Sequence, residues 1–109
     1  MEPDRESVLL SGRNSATGTS DTEVIAAQGA GVRIYVTKLV ISNSSSTDTE
    51  VDIKSGSTIR MTVPAPNKGG AVLDLGDTPL KLAVNEALNF ASVAGVTTMK
   101  VSAVGYKGV

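Results

Sequence analysis

The chain contains no cysteine and no histidine. Without cysteine there can be no disulfide and no thiolate metal site. Without histidine, the commonest general base and the commonest metal ligand are missing together. Aromatic side chains are scarce: Tyr35, Phe90 and Tyr106 are the full set. Sugar and single-stranded nucleic acid sites usually rest on aromatic platforms, so three rings, at least one of them expected in the core, argue against both. Charge of one sign is also lacking. The formal net charge is −1, and acids and bases are mixed along the chain without a basic run, so no footprint for a phosphate backbone is visible. No apolar run approaches the ~20 residues needed to cross a bilayer. The opening "MEPDRESVLLSGRNSATGTS" has no basic stretch followed by a long apolar core, so it does not read as a signal peptide. The expectation is a chain made and assembled in the cytoplasm. In that setting the sequon Asn43-Ser44-Ser45 carries little weight.

What the chain has in quantity is small, branched and aliphatic. At 109 residues it is sized for one domain with one core. Val, Ala, Leu and Ile supply nearly all of its apolar content, and β-branched residues favour pleated, two-sided packing. Residues 1–20 stand apart, being rich in Ser, Thr, Gly, Asn and charge. They read as a flexible or extended N-terminal arm, in which Val8, Leu9 and Leu10 could anchor on a neighbouring subunit. From residue 21 to 109 strand follows strand: 22–28, 31–43, 48–55, 57–63, 70–76, 78–84, 86–92 and 96–108. Eight short strands separated by Gly, Pro, Asn and Asp signals indicate an all-β, single-domain antiparallel sandwich. The stretch "PLKLAVNEALNFA" has some helical look, but Leu80, Leu82 and Val84 alternate, as do Leu88 and Phe90, and period 2 marks a strand.

Alternation also predicts registers. With a three-residue loop Ser55-Gly56-Ser57, Ile53 faces Ile59, Val51 faces Met61, and Asp52 faces Arg60 on the outer side. A second hairpin about Asn85-Glu86-Ala87 pairs Val84 with Leu88 and Leu82 with Phe90. The long strand has a phase defect: Val32, Ile34 and Val36 face one way, Leu39 and Ile41 the other. A bulge near Thr37-Lys38, a strand passing between sheets, or a strand covered on both faces would each resolve it.

Candidate chemistry is thin. Asp48, Glu50 and Asp52 share one strand face, but a flat strand spreads carboxylates about 7 Å apart, too far to converge on Ca²⁺. A solvated face partly neutralised by Lys54 and Arg60 is the simpler reading. Asp74 and Asp77 flank Gly76 in an arrangement that turn chemistry explains. "PNKGG" (66–70) lacks the spacing of a phosphate loop and no helix follows it. The serines have no histidine to activate them. The expectation is a non-enzymatic protein with no cofactor and no metal.

The run "GVRIYVTKLVISNSSSTDTEVDIKSGSTI", then "VPAPNKGGAVLDLGDTPLKLAVNEALNF", closing on "TTMKVSAVGYKG", resembles small proteins from the structural modules of tailed bacteriophages. The shared features are the pattern of strands and turns, "APxxGG" and a terminal "GYK", from about residue 22 onward. Capsid decoration (cement) proteins, including those of epsilon15-like short-tailed phages, are similar in size and build. The resemblance implies a jelly-roll sandwich on the capsid exterior, bound to the major capsid protein and to neighbouring copies as a homodimer or homotrimer, with neither nucleic acid nor membrane as partner. Other virion parts (tail, fibre, head–tail joining module) and a sugar- or protein-binding sandwich remain alternatives. The resemblance fixes no contact residue. On physical grounds the expected contacts are Val8, Leu9 and Leu10 in the arm, Asn43, Ser44 and Ser45 in the polar loop running to Thr47, and Pro64, Pro66, Asn67 and Lys68 in the loop after the fourth strand, because sandwich loops cluster at the ends.

Overall fold

A computed structural model describes residues 9–96 and 98–109. Nine strands are present among them: β1 (Leu9–Ala16), β2 (Thr22–Ile25), β3 (Arg33–Asn43), β4 (Thr49–Ser55), β5 (Thr58–Ala65), β6 (Gly70–Asp74), β7 (Leu80–Lys81), β8 (Leu88–Ser92) and β9 (Met99–Gly108). They form two antiparallel sheets. The first has the order β1-β9-β3-β6, with β7 continuing the β6 edge along β3; the second has the order β2-β8-β4-β5. The chain thus runs as a long antiparallel ribbon with its tip between β4 and β5, whose two arms pair as β4·β5, β3·β6, β2·β8 and β1·β9. Wrapped into two facing sheets, this ribbon is a jelly roll.

The eight expected strands are all found, and a ninth precedes them. Residues 9–16 belong to the sandwich: β1 pairs with β9 from Leu9↔Tyr106 to Ala16↔Met99. The structure therefore places Leu9–Ala16, within the arm expected over residues 1–20, in a sheet of the sandwich, and Val8 lies outside the described residues. The reason is Gly12. A Cβ there would stand 2.0 Å from the Val24 carbonyl oxygen, so β1 lies close against β2 of the other sheet only because the residue is glycine.

The phase defect of β3 is resolved by the first of the three options. Val36 pairs with Gly105 and Lys38 with Val104, leaving Thr37 as the bulged residue. Its carbonyl accepts from Leu75 N and its hydroxyl donates to Val104 O, so the extra residue leaves neither group idle. The bulge puts Ile34, Val36, Leu39, Ile41 and Asn43 on one buried face. Facing them from the second sheet are Val51, Ile53, Leu88 and Phe90, all essentially inaccessible.

Two registers differ from expectation. Between β4 and β5 the turn has two residues, with Ser55 opposite Thr58 and Gly56 at φ 59 as hairpin turns of this kind require. A bulge then shifts the register, so Ile53 faces Met61, Val51 faces Val63 and Asp52 faces Thr62. Ile59 falls on the outer side and is 53% exposed. Asp52 accepts from the Thr62 hydroxyl at 2.7 Å rather than pairing with Arg60. The second expected hairpin does not exist: β7 pairs with β3 and β8 with β4, so residues 82–87 cross between sheets. Leu82 stays buried while Val84 is exposed. The crossing is held by Leu82 N to Ile34 O, Asn85 N to Val32 O and Gly56 N to Ala87 O. Ser55 Oγ adds a hydrogen bond to Glu86 and accepts one from Ala83 N.

Two substitutions check this arrangement. A Cβ at Gly105 would meet the Tyr35 carbonyl oxygen at 2.0 Å, backbone against backbone beside the bulge, so Gly105→Ala should lower stability by about 3 kcal/mol in urea denaturation. Ser92 is buried with a hydroxyl that has no hydrogen-bond partner. Ser92→Ala should therefore be neutral or stabilising by about 1 kcal/mol in the same measurement; a loss larger than that would show that the hydroxyl is satisfied.

Candidate functional site

Two surfaces stand out, and the expected contact residues divide between them and the interior. The first is one end of the sandwich. There the loop 44–48 and the turn 66–69 are tied into one unit. Asn43 does the tying from beneath. Its Nδ2 donates to Thr47 O at 2.8 Å and Ala65 O at 2.9 Å, while its Oδ1 accepts from Ser45 N and Ser45 Oγ. Every bonding capacity of that amide is used. Asn43 and Ser45 are buried, so they hold the loop and present nothing outward. Ser44 remains exposed. From the other side, Lys68 donates its backbone N–H to Ser45 O and its ammonium to Ser44 O. Asp48 accepts from both the backbone N–H and the side-chain amide of Asn67 at 2.8 Å. Those two hydrogen bonds hold the Asp48 carboxyl below its ordinary value of 3.8.

Pro66, Asn67 and Lys68 are exposed on this turn, and Lys68 adopts a left-handed φ of 55, uncommon for a residue with a side chain. Pro64 is not in the loop at all. It lies in β5, an edge strand, opposite Glu50, where a missing N–H is tolerated. The structure thus brings Ser44, Pro66, Asn67 and Lys68 together and removes Asn43 and Ser45 from the surface. Leu9 and Leu10 lie at the other end of β9, beside Tyr106 and Gly105. Seven residues separate Met99 from Tyr106 along that strand, which places the two ends about 23 Å apart.

The second surface was not picked out by sequence reasoning. The outer face of the first sheet exposes Leu9, Val40, Val72, Val104 and Tyr106. Alternation against the buried positions puts them all on one side: Leu9 beside Tyr106, Tyr106 beside Tyr35, and Val40 beside Val72, with Val104 in the row between. Tyr35 and Tyr106 stack, centroids 5.0 Å apart and planes within 13°, and the Tyr35 hydroxyl donates to Val109 O at 2.7 Å. A cavity of about 370 Å³, mostly apolar, opens beside the Thr37 bulge between Leu9, Leu10, Ser11, Val104 and Gly105. The signal for this face was in the sequence, since Val40, Val72 and Val104 break the inward alternation. Only the pairing of β3 with β6 and β9 shows that they are neighbours.

The carboxylates sort as turn and face chemistry. Asp74 Oδ1 accepts from Gly76 N, capping its own turn. Glu50 and Asp52 lie on the outer face of β4, and no group of three or more candidate ligands converges on a metal site among the described residues.

Asn43→Ala should cost about 3 kcal/mol, because it strands the Ala65 carbonyl and the Ser45 N–H in a buried setting; the midpoint of urea unfolding reads this. Asp48 sets a pH effect of defined sign. A carboxyl held below its ordinary value stabilises above that value, and the contribution fades as pH falls through the lowered one. Exchange of the Asn67 amide, followed by NMR, should therefore accelerate as pH drops below about 3.8, after correction for intrinsic rates. Asp48→Asn should abolish that dependence.

No family model matches this chain, and no curated protein matches it.

Proposed function

We propose that the chain is a non-enzymatic structural protein that docks through the outer face of its first sheet, and that it serves as a capsid decoration protein on a bacteriophage particle. The observation that carries this reading is the gathering of Leu9, Tyr106, Tyr35, Val104, Val40 and Val72 on neighbouring rows of one sheet face. Exposed apolar side chains gathered on one face mark an interaction surface, whereas scattered ones do not.

Its size suits a repeated contact. Four strands at about 4.8 Å and some seven residues at about 3.3 Å give a face of roughly 450 Å². A standard stable interface buries about 800 Å² per partner. One such face alone supports modest affinity. A shell that offers many equivalent sites, with neighbouring copies touching one another, turns modest contacts into firm attachment. The end formed by Ser44, Pro66, Asn67 and Lys68 is the natural place for contacts between copies, since it projects beyond the sheets. The resemblance of the strand-and-turn pattern to phage decoration proteins supports the capsid over other locations.

The test is the copy number in purified particles of the virus that encodes the chain, by quantitative mass spectrometry against the major capsid protein. A ratio near unity, or a simple fraction of it, is expected, because decoration fills equivalent lattice sites. A handful of copies would place the chain at a tail or portal vertex, and absence from the particle would overturn the structural role.

A further inference from the structure

The near-neutral net charge of −1 conceals a separation of charge by face. On the outer side of the first sheet stand Arg13, Arg33, Lys38, Lys81 and Lys100, with Asp74 as the one acid. Their facing follows from the partners: Arg13 opposite Ser102, Lys81 opposite Tyr35, Lys38 opposite Val104, and Arg33 and Lys100 alternating with buried Ile34 and Val101. The second sheet shows the opposite sign. Glu23, Glu50 and Asp52 lie on its outer face, with Asp48 at the start of β4 and Asp21 just before β2. Two bases stand among them: Lys54, paired to Asp21 at 2.7 Å in the one ion pair among the described residues, and Arg60, exposed on β5, so the acids still outnumber the bases on this sheet.

The cations share their face with the exposed aliphatic side chains. Lys38 stands in the row between Val104 and Asp74, and the other four bases border the apolar centre. From this juxtaposition we infer that the surface which receives the first sheet is an acidic protein surface, with carboxylates placed around exposed aliphatic side chains, and that the acidic face of the second sheet stays turned to solvent. This rests on the docking role proposed above and adds the face, the orientation and the chemistry of the partner. Burial of the apolar centre would take Lys38 out of water with Asp74 as its one acidic neighbour on the face, and the four bordering cations gain carboxylate partners only if the receiving surface supplies them. A nucleic acid fits less well: phosphates call for a track of cations, not a border around valines, and the two tyrosine rings are stacked on each other rather than open to bases. A second copy meeting the same face would set base against base.

Carbodiimide cross-linking tests this directly. The reagent joins an amine to a carboxylate with loss of water and leaves no spacer, so it links only groups in contact. Applied to the virus-producing cell and to purified particles, followed by mass spectrometry, it should link Lys38, Lys81 or Lys100 to Asp or Glu of a different protein. The variant K38E/K100E should recover about tenfold less of that complex, while E50K/D52K should recover as much as the wild type. Circular dichroism verifies that both variants fold. Raising salt from about 0.05 M to about 0.5 M should weaken wild-type association by about tenfold or more. Links through Glu50 or Asp52 to partner lysines, links only between copies of this chain, no links from those lysines, or tight binding of a fluorescent oligothymidylate would each overturn the inference. The two proposals fail separately. Links from Lys38 and Lys100 to a protein other than the capsid subunit would sink the capsid role and keep the inference. Links to the capsid subunit through the second sheet would do the reverse.

Discussion

The bulge at Thr37 is the constraint on which the rest of the structure depends. Strand β3 is central to the first sheet and pairs with β9, β6 and β7. Its side chains must serve one core over eleven residues, but its apolar residues change phase midway. One unpaired residue corrects the phase. Without it, Leu39, Ile41 and Asn43 would point to solvent, and both the core and the amide that ties the end loops would be lost. The bulge has local costs that neighbours absorb. Gly105 must lack a Cβ where the Tyr35 carbonyl comes close, and the Thr37 polar groups find Leu75 and Val104. The same bulge fixes which residues form the outer rows, because every pairing beyond it shifts by one. The sequence of Tyr35, Lys38 and Val40 on the outer face is thus a product of the same residue that completes the core.

Much of this was legible in the sequence, because period 2 and turn residues are local signals. The eight strands from residue 22 onward, the inward residues of β4 and the phase defect of β3 could be read that way; which of three remedies the defect takes could not. What escaped depends on contacts between distant segments. Strand β1 carries "LLSGRNSA", too few apolar residues to announce a strand. It forms because β9 supplies a ladder and Gly12 lets β2 approach. The β4–β5 register escaped because a two-residue turn with a bulge keeps the same inward residues as a three-residue turn without one. Only Ile59 and Arg60 differ, and Ile59 ends up outside. The crossing at residues 82–87 escaped because alternation continues through it: Leu82 and Leu88 are both buried, but under different sheets.

The candidate site divides along the same line. Loop residues read as surface because they are polar, and Ser44, Pro66, Asn67 and Lys68 are. Asn43 and Ser45 are not, since a short amide and a hydroxyl can satisfy a loop's backbone from within. Composition cannot say which polar residue will do that; the four hydrogen bonds of Asn43 can. The apolar outer face of the first sheet was hidden for a different reason. Its valines are scattered over β3, β6 and β9, and its cations over four strands. No window of sequence contains them together, and a balanced total charge gives no hint that the two signs lie on opposite sides.

That balance bears on how such a sandwich behaves before it meets a partner. An exposed apolar face invites copies to stack through it. Lys38 in its centre and four cations around it make a like-face encounter repulsive, so the face is protected in the free protein by the same charges that would select its partner. The acids on the far side have a second effect. In the proposed docking they would keep the outward surface hydrated once the first sheet is covered, and would repel a further layer of acidic protein. If the first sheet docks as proposed, a two-signed sandwich of this kind favours a single layer with one orientation, which accords with the proposed decoration role.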